Sequence, residues 1–139
     1  MKKLTPQEIK QLSPLGLAYI GDGIYELMTR ERIVSRGNMP VAKLHFETVS
    51  IVRAAAQSDA VAVIIDDLSE EELAVYKRGR NANGSHVPRN ADPGQYRRAT
   101  GLEALFGYLY LNERHERIEE LYESIYESAL NNAEEKADV

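Results

Sequence analysis

Two carboxylates in this chain stand in unusual company. Asp22 falls in the middle of Leu15-Gly16-Leu17-Ala18-Tyr19-Ile20-Gly21-Asp22-Gly23-Ile24-Tyr25-Glu26-Leu27, a stretch that is otherwise almost wholly apolar. Glu103 has the same setting in Ala99-Thr100-Gly101-Leu102-Glu103-Ala104-Leu105-Phe106-Gly107. A buried carboxylate is costly unless it is paired or binds a metal. Two such acids brought together would suit a hard divalent cation, and Mg²⁺ fits because it binds through few carboxylates and keeps several waters. Residue pattern alone leaves another account open, in which Asp22 or Glu103 makes a structural ion pair with an arginine such as Arg97. Glu26, one helical turn after Asp22, could support the site or simply face solvent. His45, His86 and His115 have no zinc-ligand spacing, and only His86 lies where it could touch a phosphate.

The elements that must position these acids read as helices. Ser13 can cap a helix that Pro14 opens, and Leu17, Ile20, Ile24 and Leu27 form a stripe at helical spacing. Leu15, Ala18, Tyr19 and Tyr25 form a second stripe, so the segment is apolar nearly all round and is expected to be buried, Asp22 with it. Gly16, Gly21 and Gly23 each cost such a helix about 1 kcal/mol relative to Ala, which implies that something approaches its backbone closely. Glu103 belongs to a helix over about Gln95–Asn112, itself interrupted by Gly101 and Gly107.

Around these two lie a short helix behind the capping box Thr5-Pro6-Gln7-Glu8, and one starting at Pro40. Ala60–Ile65 is rich in β-branched residues, but no other stretch offers a strand to pair with it, so it too reads as helix. A second capping box, Ser69-Glu70-Glu71-Glu72, opens a helix ending near Gly79. The last helix should run from Glu113 to about Ala129, with a frayed tail from Glu134 to Val139. The long segment Arg80–Gly94 is a loop of the length usually reserved for function. The fold class is therefore all-α, in one domain over residues 1–139 with its core at about 14–130.

The chain has 139 residues, 43% of them hydrophobic, and no cysteine, which excludes disulfides and thiolate metal sites. No stretch has the length of a membrane span and the N-terminus does not read as a signal peptide, so the expectation is a cytoplasmic protein. The net charge of −5 is unevenly distributed. Between Val75 and Thr100 stand Lys77, Arg78, Arg80, Arg89, Arg97 and Arg98 against a single acid, Asp92. That basic segment, leading into the Glu103 helix, is where a phosphate backbone would be held, with His86 as a further candidate.

Leu17-Ala18-Tyr19-Ile20-Gly21-Asp22, followed by Thr100-Gly101-Leu102-Glu103-Ala104-Leu105-Phe106-Gly107, resembles the catalytic domain of the ribonuclease III family. The likeness extends from about Pro14 to Leu111 and is nearest to the family's short Mini-ribonuclease III branch, which has the nuclease domain and no double-stranded-RNA-binding domain. The resemblance implies that Asp22 and Glu103 are catalytic carboxylates that hold Mg²⁺. It implies a homodimeric endoribonuclease that cuts double-stranded RNA and, for this branch, matures the 23S ribosomal RNA precursor, with a bound ribosomal protein as a possible aid to site choice. The wider family has acids at the positions of Leu15, Ala18 and Thr100, and another near Met39–His45, so the ligand set here is thin. Two other readings are a non-catalytic RNA-binding module with the same fold and a helical dimeric scaffold.

Overall fold

Four helices begin where the sequence offers an acceptor for their free amides. Thr5 and Glu8 form a reciprocal capping box, Glu8 N donating to Thr5 Oγ1 (3.2 Å) and Thr5 N to Glu8 Oε1 (2.9 Å). Ser69 and Glu72 repeat it at the same two distances. Ser13 accepts from Gly16 N (3.0 Å) and Asp92 from Gln95 N (2.9 Å), each followed by a proline in the first turn. The computed structural model describes residues 2–82 and 87–137. Within them run α1 (Pro6–Gln11), α2 (Pro14–Val34), α3 (Val41–Val52), α4 (Ala54–Ile64), a 3₁₀ turn (Ile65–Asp67), α5 (Glu70–Arg80), α6 (Pro93–Leu111) and α7 (His115–Ala137). No strand occurs among the described residues, and the chain is all-α as its patterning requires.

Helix α6 is the axis of the molecule. Every residue from Ala99 to Leu109 is buried except Glu103, which is half-buried. Helices α2, α4 and α5 all pack against it. Glycines set the separations. A Cβ on Gly21 would lie 1.6 Å from the Glu103 carbonyl oxygen, and one on Gly107 1.9 Å from the Leu17 carbonyl oxygen, so α2 and α6 touch backbone to backbone. On the other side of α6, Gly101 makes room for the ring of Tyr76 on α5.

The remaining core is built from aromatic rings and a few internal polar links. Tyr25 meets Phe106 and Tyr122 edge to face, with ring centroids 5.3 and 5.5 Å apart. The Tyr122 hydroxyl donates to Thr29 Oγ1 (2.6 Å), which in turn donates to the Tyr25 carbonyl (2.9 Å), joining α7 to α2. Glu72 is buried but satisfied. It accepts from Arg117 Nε at 2.8 Å and from the Arg117 guanidinium again at 2.9 Å, and this holds its carboxyl below the usual range.

Several expectations need correction. Helix α2 is not buried all round: Tyr19 is 81% and Leu27 53% exposed, on the side away from α6. Only Gly21 of its three glycines meets a neighbouring backbone. Gly16 meets just its own cap, Ser13, and nothing lies within 4 Å of Gly23. The last helix does not stop near Ala129; it continues to Ala137 because Ile125 and Tyr126 are still core residues and Leu130 packs against them. The helix expected over Ala60–Ile65 is present as far as Ile64, with the β-branched Val61 and Ile64 as core contacts, and Ile65 begins a 3₁₀ turn. Helix α6 starts two residues earlier than its apolar pattern indicates, because Asp92 and Pro93 supply the cap.

The glycine contact yields a direct test. Gly21→Ala and Gly107→Ala should each force α2 from α6 and destabilise the fold by about 3 kcal/mol or more, readable as a fall in the urea midpoint. Gly21→Ala at wild-type stability would refute the backbone contact.

Candidate active site

Because Gly21 rests on the Glu103 carbonyl, the next residue of α2 is delivered to the side chain of Glu103. The Asp22 and Glu103 carboxyls lie within hydrogen-bonding reach of each other. They differ in environment. Asp22 is exposed, contrary to the burial expected from its apolar neighbours, because it sits at the edge of the α2–α6 contact. Burial falls on Glu103 instead. Its pKa is pushed up to about 8, first by desolvation and then by the hydrogen bond to, and charge of, Asp22, while the neighbouring Gln57 amide acts in the opposite direction.

The alternative of a structural ion pair is not realised. Among the described residues no lysine or arginine bridges either acid; Arg97 is exposed and Glu26 pairs with Arg30 at 3.3 Å. Burial and the neighbouring Asp22 instead favour the protonated form of Glu103. A site with two adjacent carboxylates, one facing solvent, is chemically suited to exchange that proton for a hard divalent cation. No third His, Asp or Glu completes a metal-binding cluster among the described residues. Thr100 is buried with its hydroxyl donating to the Tyr96 carbonyl (3.0 Å), Ala18 is buried, and Leu15 is half-buried. A cation held here would therefore be coordinated largely by water and substrate oxygens.

Gln57 of α4 is a component that the acid pattern does not reveal. It is buried, donates from Nε2 to the Val52 carbonyl (3.0 Å), and has an Oε1 with no partner. A signal for it exists in the sequence: Gln57 is in helical register with Ala60, Val61 and Ile64, all core residues, so a polar side chain occupies an inward position.

The basic residues are spread more widely. Lys77 and Arg78 are exposed and, with Asn81, line a shallow cavity beside Ser13, Pro14 and Leu15 at the start of α2. Arg80 lies over the Tyr76 ring at 5.6 Å. Arg89 and Arg97 are exposed. Arg98 donates from Nε to Ser58 Oγ (2.6 Å), so part of its role is to tie α6 to α4. His86 lies outside the described residues.

The raised pKa of Glu103 predicts how the protein responds to pH in chelator. In the unfolded chain Glu103 takes its ordinary value of 4.5, so between that and about 8 the folded state binds the extra proton. Stability should fall as pH rises through this window, by a few kcal/mol at most. Thermal melts in chelator at pH 5 to 8 should show this slope, and Glu103→Gln should flatten it and melt higher at pH 8. A Glu103→Gln protein with the wild-type slope would contradict the assignment.

Residues 15–114 match the ribonuclease III domain model. The chain is 48% identical over 120 residues to the Mini-ribonuclease 3 of Thermoanaerobacter sp. (strain X514), covering 86% of this chain and 84% of that protein. It is 43% identical over 135 residues to the Mini-ribonuclease 3 of Clostridium tetani, covering 94% and 89%. The crystal structure of protein FN1578 from Fusobacterium nucleatum superposes with a TM-score of 0.79 at 32% identity, over 86% of this chain and 96% of that one. Ribonuclease III enzymes act on double-stranded RNA and use a divalent metal. Their domain spans both the helix of Asp22 and that of Glu103, and the chain belongs to the ribonuclease III family as an endoribonuclease of the Mini-ribonuclease 3 type.

Proposed function

We propose that this endoribonuclease is Mg²⁺-dependent, acts as a homodimer in the cytoplasm, and matures the precursor of 23S ribosomal RNA, with Asp22 and Glu103 as its catalytic carboxylates. The observation that carries the reading is the adjacency of those two acids with no cationic side chain between them. Asp22, being exposed, presents its carboxylate to solvent and substrate. Glu103, half-buried beside it, would hold the cation through its ionised carboxylate. When bound, Mg²⁺ supplies Lewis-acid activation of water and neutralises charge at the scissile phosphate.

Lys77, Arg78, Arg80, Arg89, Arg97, Arg98 and His86 are proposed to meet the RNA backbone. They can hold a duplex through its phosphates and A-form shape but cannot read its sequence. Choice of cleavage site then depends on RNA tertiary structure or on a bound ribosomal protein.

The homodimer is supported by a row of exposed apolar residues. Tyr19 and Leu27 on α2 lie in register with Gly23, and Val41 and Phe46 of α3 are 80% and 75% exposed. This much exposed apolar surface suits burial against a second copy. Gly23, which meets nothing within its own protomer, is small enough to let such a neighbour approach. The protein should sediment as a dimer at micromolar concentration, and Leu27→Arg should sediment as a folded monomer. A monomeric wild-type protein would overturn this part of the reading.

The catalytic assignment has its own test. Asp22→Asn and Glu103→Gln preserve shape and remove charge, so each should lower Mg²⁺-dependent cleavage of duplex RNA by roughly a thousandfold while circular dichroism stays unchanged. A well-folded Glu103→Gln protein that cuts at the wild-type rate would sink it.

A further inference from the structure

Gln57 has features that packing alone does not account for. It is 3% exposed, in a register of α4 otherwise filled by Ala60, Val61 and Ile64. Its Nε2 is tied to the Val52 carbonyl at 3.0 Å, and that carbonyl ends α3 just before the helix gives way at Arg53, where φ is −64° and ψ 155°. The bond fixes the plane of the amide. Its Oε1 is buried without a partner, a condition native proteins rarely tolerate unless something else completes it. The next residue, Ser58, accepts the 2.6 Å bond from Arg98 Nε, so α4 is locked to α6 little more than one turn before Glu103.

We propose that Gln57 is a positioning residue for the divalent-cation site, its buried amide orienting the Glu103 carboxylate toward Asp22 and its free Oε1 accepting a hydrogen bond from water held at the site. This rests on the reading of Asp22 and Glu103 as the cation-binding pair. Among the described residues no third acid joins these two, so Glu103 is not steered by further carboxylates. An amide can orient it without adding negative charge to two acids that already repel. The Gln57 amide lies within hydrogen-bonding reach of the Glu103 carboxyl, where an N–H can donate to a carboxylate oxygen. Several waters stay on a magnesium ion bound through few carboxylates, and their protons need acceptors such as Oε1.

The test compares Gln57→Met and Gln57→Leu with wild type and with Glu103→Gln. Two properties are titrated with Mg²⁺ alone: the rise in melting temperature and the rate of duplex RNA cleavage. Both Gln57 variants should fold and melt close to wild type in chelator, since the lost bond to the Val52 carbonyl is offset by removal of an unpartnered buried oxygen. Their Mg²⁺ midpoint should rise at least tenfold in both titrations, with kcat reduced about tenfold or more at saturating Mg²⁺ and KM for RNA unchanged. A wild-type Mg²⁺ midpoint in either folded variant overturns the proposal. So does activity that falls only in step with melting temperature, or failure of both variants to fold, because each makes the amide merely structural. If Glu103→Gln keeps the wild-type Mg²⁺ midpoint and cleavage, the underlying site is wrong. If Glu103→Gln loses both and the Gln57 variants lose neither, only the role of Gln57 fails.

Discussion

The contact between Gly21 and Gly107 sets the geometry of everything else in this protein. Two helices with ordinary side chains at the crossing keep their axes some 8–10 Å apart. Here the Gly21 backbone reaches the Glu103 carbonyl and the Gly107 backbone reaches that of Leu17, leaving no room for even a methyl group. Each glycine costs its helix about 1 kcal/mol in propensity. The return is a crossing so close that acids on two different helices become neighbours. Glu103 is on both sides of the arrangement, its backbone forming the contact and its side chain entering the site.

That closeness creates an electrostatic problem with a functional solution. Two carboxylates in reach of each other, one half-buried, cannot both be ionised cheaply, so burial and the nearby Asp22 favour the protonated form of Glu103. The strain is local and is offset elsewhere. Glu72 with Arg117, and Glu71 with Tyr108 and Arg114, connect α5 to α6 and α7. Arg98 with Ser58 joins α6 to α4, and Thr29 with Tyr122 joins α2 to α7. The helices that carry the acids are thus held from several directions, and the pair does not relieve its repulsion by moving apart.

The two sides of α2 have different destinations. Leu17, Gly21, Tyr25, Thr29 and Ile33 pack inward, while Tyr19 and Leu27 remain on the surface with Val41 and Phe46 of α3. Asp22 lies at the border between these faces. It is next to the close contact and still open to solvent.

Much of this was legible in the residue order because it depends on local chemistry. Capping boxes at Thr5 and Ser69, the Ser13–Pro14 start, and the absence of any pairing strand determined an all-α chain and three of its helix starts. The glycine-punctuated apolar segments singled out Asp22 and Glu103 before any contact was known. Tertiary structure alone decided which face of α2 goes inward, since a stripe apolar on nearly every side carries no directional signal. It decided that Glu103, and not Asp22, bears the burial, because solvent exposure depends on the crossing point of two helices 80 residues apart in sequence. It also brought Gln57 to the acids, for an amide on a third helix has no local pattern linking it to them; only the packing of α4 on α6 does.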